Sequence, residues 1–218
     1  TSYIAKRIKG YDIIACFITH NHSDHCSRIN GLPDDVKIFM SEDEAISDKM
    51  SKYNRELSVI VEGDWTKIGP YYIKAIPAEH DTPAPVHYFV TDGNESFFYG
   101  CDCCKLNNSL DDYFLQSDVI MLECDTDLCA LKTDFVGDTS VKYVYDDDLK
   151  KRIASTHCTN EYIYWRMKWA VDAGKKVILG HLSNNYNSKD LCDSKVNKKE
   201  GNQFIIVDRT ECPITIFE

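Results

Sequence analysis

Within six consecutive positions, 20–25, the chain carries His-Asn-His-Ser-Asp-His, directly after the largely apolar segment 12–19. In an extended segment His20 and His22 project to the same side, and a turn beyond them brings Asp24 and His25 towards a second point nearby. Three imidazoles and a carboxylate are all donors for a borderline cation such as zinc. Their crowding suggests two adjacent ions rather than one. The competing reading, a polar loop with incidental histidines, needs four ligand-type residues to fall by accident in six positions.

The remaining candidate donors repeat the placement. Apolar stretches rich in Ile, Val, Phe and Tyr predict strands at 12–19, 36–40, 58–61, 71–76, 86–91, 96–99, 118–122, 176–179, 204–208 and 213–217. His80, Asp102 and His181 each fall just beyond one of them, where loops at one edge of a sheet converge on a shared site. Asp92-Gly93-Asn94 reads as a tight hairpin turn. Helices are expected at 41–52, opening on Ser41-Glu42-Asp43-Glu44 like a capping box, and at 109–116, 147–154 and 159–173, the last ended by Gly174. Many short strands with helices between them make a layered α/β domain, with helices outside two packed sheets.

Composition narrows the function. The 218 residues, 43% of them hydrophobic, suffice for one globular domain over 1–218, and neither a repeat nor a Pro/Gly/Ser linker divides them. The 25 basic against 35 acidic residues, a net charge of −10, argue against a broad surface for long duplexes. The longest apolar runs stop far short of the roughly 18 residues of a membrane span, so a membrane is not expected as a partner. No signal peptide is visible in residues 1–10. Ten dispersed cysteines read as reduced thiols, and the expected compartment is the cytoplasm.

These residues resemble the metallo-β-lactamase superfamily, from Thr19 to nearly the end of the chain. The segments Ala78-Glu79-His80-Asp81-Thr82-Pro83-Ala84-Pro85-Val86, Leu122-Glu123-Cys124-Asp125-Thr126-Asp127 and Gly180-His181-Leu182-Ser183-Asn184 are similar to its branch of bacterial phosphodiesterase-like proteins called WalJ or YycJ. The resemblance implies an αββα sandwich in which His20, His22 and His80 hold one divalent ion, Asp24, His25 and His181 hold the other, and Asp102 bridges them. Zinc is the first expectation and manganese the second. Members usually begin with a β-hairpin, a small-residue turn and an Asp-bearing strand, a pattern that the 18 residues before Thr19 do not supply.

Aspartate at the bridging position favours oxygen coordination and disfavours antibiotic hydrolysis. Cys101, Cys103 and Cys104 read as small core residues at a strand end. Two ions can activate a shared water and clamp a phosphodiester, and an alkoxide leaving group then benefits from a positioned acid. His157, in Ser155-Thr156-His157-Cys158-Thr159-Asn160-Glu161, resembles the histidine of tRNase Z-like phosphodiesterases that contacts the scissile phosphate. Glu123 resembles the acidic residue that orients it. Asp24 would also orient or deprotonate the water. The competing reading makes His157 a capping histidine. His87, inside a strand, reads as structural. The aromatic positions Tyr162, Trp165 and Trp169 read as a core or homodimer face before a base-stacking platform, and Lys150, Lys151 and Arg152 as a solvated face before a phosphate attractor.

The expected activity is thus dinuclear phosphodiester hydrolysis on a nucleotide. The acidic surface favours a small cyclic nucleotide, the substrate of phage anti-Pycsar phosphodiesterases of the same superfamily. A single-strand DNA or RNA nuclease acting on a nucleic-acid end is the second expectation. A lactonase or thioesterase and a non-enzymatic metal-stabilised interaction module are the rivals.

Overall fold

The computed structural model describes residues 10–136, 139–140, 144–197 and 203–207. The strand expected at 213–217 and the end of the one at 204–208 lie outside them. The chain forms two compact units, Thr1–Asn94 and Glu95–Glu218.

In the first unit, β1 (Ala15–Phe17), β2 (Lys37–Met40) and β3 (Leu57–Val59) form a parallel sheet in the order β1-β2-β3. Between them lie the short helices α1 (Ser23–Cys26) and α2 (Glu42–Ala45). The period-2 alternation of β2 divides the core. Ile38 and Met40 join Ile18, Cys26, Ile29 and Met50 on one side, while Phe39 joins Ile60, Ile73, Ala75, Val86 and Tyr88 on the other. That second cluster belongs to the antiparallel strands β4 (Trp65–Ile68), β5 (Tyr71–Pro77) and β6 (Val86–Thr91), so this unit packs sheet against sheet. Phe17 stacks on Phe39 at 5.2 Å, and the Tyr88 hydroxyl donates to the Ile18 carbonyl at 2.8 Å. Each large apolar side chain buried here contributes about 1.5–3 kcal/mol. After β6, Gly93 takes φ +95° and the Asn94 N–H donates to Asp92 Oδ1 at 2.8 Å, which makes the expected turn at 92–94.

The helix expected at 41–52 is α2 alone, four residues long. No side chain caps it: Ser41 Oγ donates to the Ala84 carbonyl at 2.6 Å, and Glu44 turns into the protein. Beyond Ala45 the chain continues as turns, closed by Met50 N–H to Ser47 O and Tyr53 N–H to Met50 O. Ser47 and Asp48 belong to the side chains that compete with helical backbone bonds.

In the second unit, β7 (Ser96–Gly100), β8 (Val119–Glu123), β11 (Lys176–Gly180) and β12 (Ile205–Ile206) are parallel neighbours. The other elements are α3 (Asp111–Gln116), α4 (Leu128–Thr133), the short antiparallel pair β9 (Phe135–Val136) and β10 (Thr139–Ser140), α5 (Asp147–Thr156), α6 (Asn160–Asp172) and α7 (Lys189–Val196). Sequence patterns miss α1, α4, α7, β4, β9 and β10. The buried strand residues Ile120, Leu122, Val177 and Leu179 form near-continuous apolar runs, as parallel strands covered by helices require. Helix α6 starts where Thr159 Oγ1 accepts from the Tyr162 N–H, and Gly174, at φ +80°, follows its end. Its buried stripe is Ile163, Met167 and Ala170. Trp165, expected on the core or dimer face, is 76% exposed.

Candidate metal centre

The first unit gathers histidines on two loops. Beyond β1, Thr19, His20 and Asn21 are buried, and the chain turns at His22 into α1, which carries Asp24 and His25. The second loop, 78–85, is closed at its base by Ala78 N–H to Pro85 O at 2.8 Å and carries His80. The His20 ring lies 4.7 Å from His22, 4.2 Å from His25 and 4.9 Å from His80, centroid to centroid. His22 and His80 are 5.0 Å apart, with Nδ1 of the first 3.2 Å from Nε2 of the second. His20, His22 and His80 meet edge to face, and one nitrogen of each lies within 4.8 Å of the others. Thr19 Oγ1 lies 2.9 Å from His20 Nδ1 and fixes that ring, as outer partners fix ligating imidazoles. Asp81 Oδ1 lies 3.2 Å from His80 Nε2. Asp24 lies 3.6 Å from His25 Nε2, with its side chain 72% exposed.

The second unit places its polar residues at the carboxyl ends of adjacent parallel strands, where open α/β sheets bind ligands. Asp102 follows β7, Glu123 ends β8 and His181 follows β11; His157 follows α5. Asp102 and His181 adopt left-handed backbones, φ 52° and 53°. Such strain persists only where the surrounding structure imposes it, and it concentrates at functional positions. One donor atom from each of Asp102, Glu123, His157 and His181 lies within 4.8 Å of all the others. His181 Nε2 is 3.1 Å from Asp102 Oδ1, and its ring lies near-parallel to His157 at 5.7 Å.

Glu123 organises this cluster. Its Oε1 accepts from the N–H groups of Cys158 at 2.6 Å and Cys103 at 3.1 Å, while Oε2 accepts from the Asp102 N–H at 3.1 Å and meets His157 Nδ1 at 3.0 Å. Burial pushes the Glu123 carboxyl up, against the opposing pull of His157. Burial alone would lower His157, but the hydrogen bond and charge of Glu123 outweigh it and raise the imidazole to about 9. His181 behaves alike: burial is outweighed by the Asp125 carboxylate 3.5 Å away and by Asp102 and Glu123, and it rises to about 9.

Sequence reasoning missed two contributors. Asp125 Oδ1 lies 3.5 Å from His181 Nδ1, and its signal was its place two residues beyond Glu123 in the quoted motif. Glu44 read as a capping residue. The cysteines agree with a core reading: Cys101 Sγ donates to Asp102 Oδ1 at 3.1 Å, and burial holds its thiol pKa up. Of the basic cluster, Lys150 Nζ is held by Asp134 at 2.6 Å and Lys151 pairs with Asp148 on the surface.

The donors suit a divalent ion. Imidazole nitrogens converge in one unit, and carboxylate oxygens with further imidazoles in the other, the mixed N/O set that borderline cations prefer. Chain and donors together define a metal-dependent hydrolase of the metallo-β-lactamase fold. The chain belongs to the beta-lactamase superfamily, whose domain model matches residues 4–129. It is 27% identical over 193 residues to the exodeoxyribonuclease WalJ of Streptococcus pneumoniae, covering 84% of this chain and 68% of that protein. Among solved structures, the metallo-β-lactamase fold protein YhfI of Bacillus subtilis superposes with a TM-score of 0.65 at 17% identity, covering 94% of this chain and 81% of the other. A diphosphatase of the PhnP family gives 0.58 at 14%, covering 93% and 72%. The αββα expectation is thereby borne out as a fold class. Among the described residues, no helix is long and apolar enough to cross a membrane.

Proposed function

We propose that the chain is a dinuclear phosphodiesterase that hydrolyses a nucleotide phosphodiester, with His157 as its general acid. The single observation carrying this reading is the Glu123–His157 pair, 3.0 Å apart, beside Asp102 and His181. His20, His22 and His80 would hold one ion, Asp24, His25 and His181 the other, with Asp102 shared. When bound, the ions supply Lewis acidity to water and to the phosphate oxygens. His157, its Nδ1 held by Glu123, stays protonated at neutral pH and delivers a proton to the departing oxygen. Asp24 orients the attacking water. A lactone does not need that acid to the same degree, which sets the lactonase reading second among chemistries.

Two substrates have support of their own. The likeness to an exodeoxyribonuclease favours the end of a DNA strand. The net charge of −10 favours a small cyclic nucleotide. Hydrolysis of labelled single strands, cyclic mononucleotides and a lactone panel by the metal-loaded protein tests the reading. Turnover of lactones alone refutes it. Steep salt dependence of binding selects the strand end, because a polymer releases several counterions and a mononucleotide very few. Fewer than two ions per chain in a metal-replete preparation would contradict the dinuclear assignment.

A further inference from the structure

We propose that Glu44 is a positioning residue for the histidine-bearing loops: through its two carboxylate oxygens it locks the segment carrying His20 and His22 to the loop carrying His80, and so sets the affinity for a divalent ion. The proposal rests on the metal reading given above.

Glu44 has no exposed surface. Its Oε2 accepts from the Asn21 N–H at 2.9 Å and its Oε1 from the Ala84 N–H at 3.0 Å. Asn21 stands between His20 and His22, so the orientation of its peptide group fixes the directions in which both imidazoles leave the chain. Ala84 stands between Pro83 and Pro85 and supplies the only backbone donor of 83–85, because proline has none. Glu44 therefore takes the one N–H that this end of the His80 loop can offer.

The rest of the 41–49 segment grips the same two points. Ser41 Oγ donates to the Ala84 carbonyl at 2.6 Å, so both polar groups of that residue are held. Asn21 Nδ2 donates to Ser47 Oγ at 3.0 Å, and Lys49 Nζ donates to Asn21 Oδ1 at 3.4 Å. Burying a carboxylate is costly unless it is fully hydrogen-bonded, and an apolar side chain here would leave the Asn21 and Ala84 N–H groups without their acceptor. What the carboxylate provides is a rigid span between two loops, and the 3.2 Å approach of His22 Nδ1 to His80 Nε2 depends on their register. The loops also keep an independent tie, Val86 N–H to Thr19 O at 3.0 Å. Loss of Glu44 should accordingly loosen the histidines without unfolding the unit.

The test is Zn2+ affinity by chelator competition, together with the visible absorption of the Co2+-loaded protein. In Glu44→Gln one oxygen becomes an amide NH2, which cannot accept from either N–H. A 10–100-fold weaker Zn2+ affinity is expected, the range for partners that hold metal ligands, with altered Co2+ bands and a cooperative melt of the metal-free protein. Unchanged affinity and bands would overturn the proposal even if the variant melts lower, since a purely structural role moves the melt alone. Should Glu44→Gln fail to fold, Ser41→Ala, which removes only the bond to the Ala84 carbonyl, carries the same measurement. A smaller loss in the same direction supports the proposal, and no loss overturns it. If wild type itself binds no Zn2+, the metal reading falls and this one with it; equal binding by wild type and variant removes this one alone.

Discussion

Replacing Glu123 with glutamine keeps the shape of the side chain and removes one acceptor. The carboxylate serves four partners, two on each oxygen. With its single oxygen placed towards Cys158 and Cys103, the glutamine sets an NH2 group against the Asp102 N–H and His157 Nδ1. The imidazole adapts by losing its Nδ1 proton and accepting from the amide. The Asp102 N–H cannot adapt. A buried unsatisfied donor costs about 1–3 kcal/mol and the lost charge-assisted bond a similar amount, offset in part because glutamine carries no charge to desolvate. The net expectation is a loss of about 2–4 kcal/mol, or roughly 4–16 °C in melting temperature for a chain of this size.

The pH dependence supplies the sign. His157 rises from an ordinary 6.5 to about 9, so its contribution to stability is fully present below 6.5 and is lost as pH climbs through 9. Calorimetry of the metal-free protein from pH 6 to 10 should show this loss in wild type and a flatter profile in Glu123→Gln. Histidine NMR should show the His157 pKa falling from about 9 in the variant, because the charge of Glu123 is gone. A variant that melts with wild type and leaves His157 titrating near 9 would refute the assignment of Glu123 as the buried acceptor.

His157→Ala should leave both ions bound and slow substrates with alkoxide leaving groups by roughly 10²–10⁴-fold, with p-nitrophenyl esters much less affected. Equal losses on both substrate types would make the residue a phosphate binder instead. On the dinuclear proposal Asp102→Ala should lose metal and activity together, since a carboxylate shared between two cations would neutralise both; unchanged metal content by emission spectroscopy would remove it from the site. His87, buried in β6, is lowered by burial to about 4, so the folded protein loses stability as pH falls from 6.5 towards 4. That loss amounts to about 3 kcal/mol, and denaturant titrations of His87→Leu should lack it.

The histidine motif was readable because its spacing is local: alternation along an extended chain and one turn of helix decide which way the rings face. His80, Asp102 and His181 were readable by their place after apolar stretches, and those stretches became β5, β7 and β11 with ends shifted by one residue. Glu44 shows where such reading stops. Its local pattern fits a helix cap, yet its partners lie 23 and 40 residues away, and two backbone donors that proline and turn geometry leave unpaired outcompete the cap. Asp125 escaped for the same reason, since its nearest imidazole belongs to another strand end. Of the aromatic positions of α6, Trp165 lies off the stripe that Ile163, Met167 and Ala170 define, so its exposure excludes the core reading and not the homodimer face.

The left-handed backbones of Asp102 and His181 bear on how the chain responds to selection. Glycine occupies that conformation at no steric cost, whereas other residues pay of order 1 kcal/mol or more. Glycine at either position would therefore relieve the backbone while deleting a donor. A library of variants screened for heat resistance alone should enrich glycine or asparagine at 102 and 181, whereas one screened for turnover should return aspartate and histidine. Divergence between the two screens at these positions measures how much folding free energy the chain gives up to keep its donors in place.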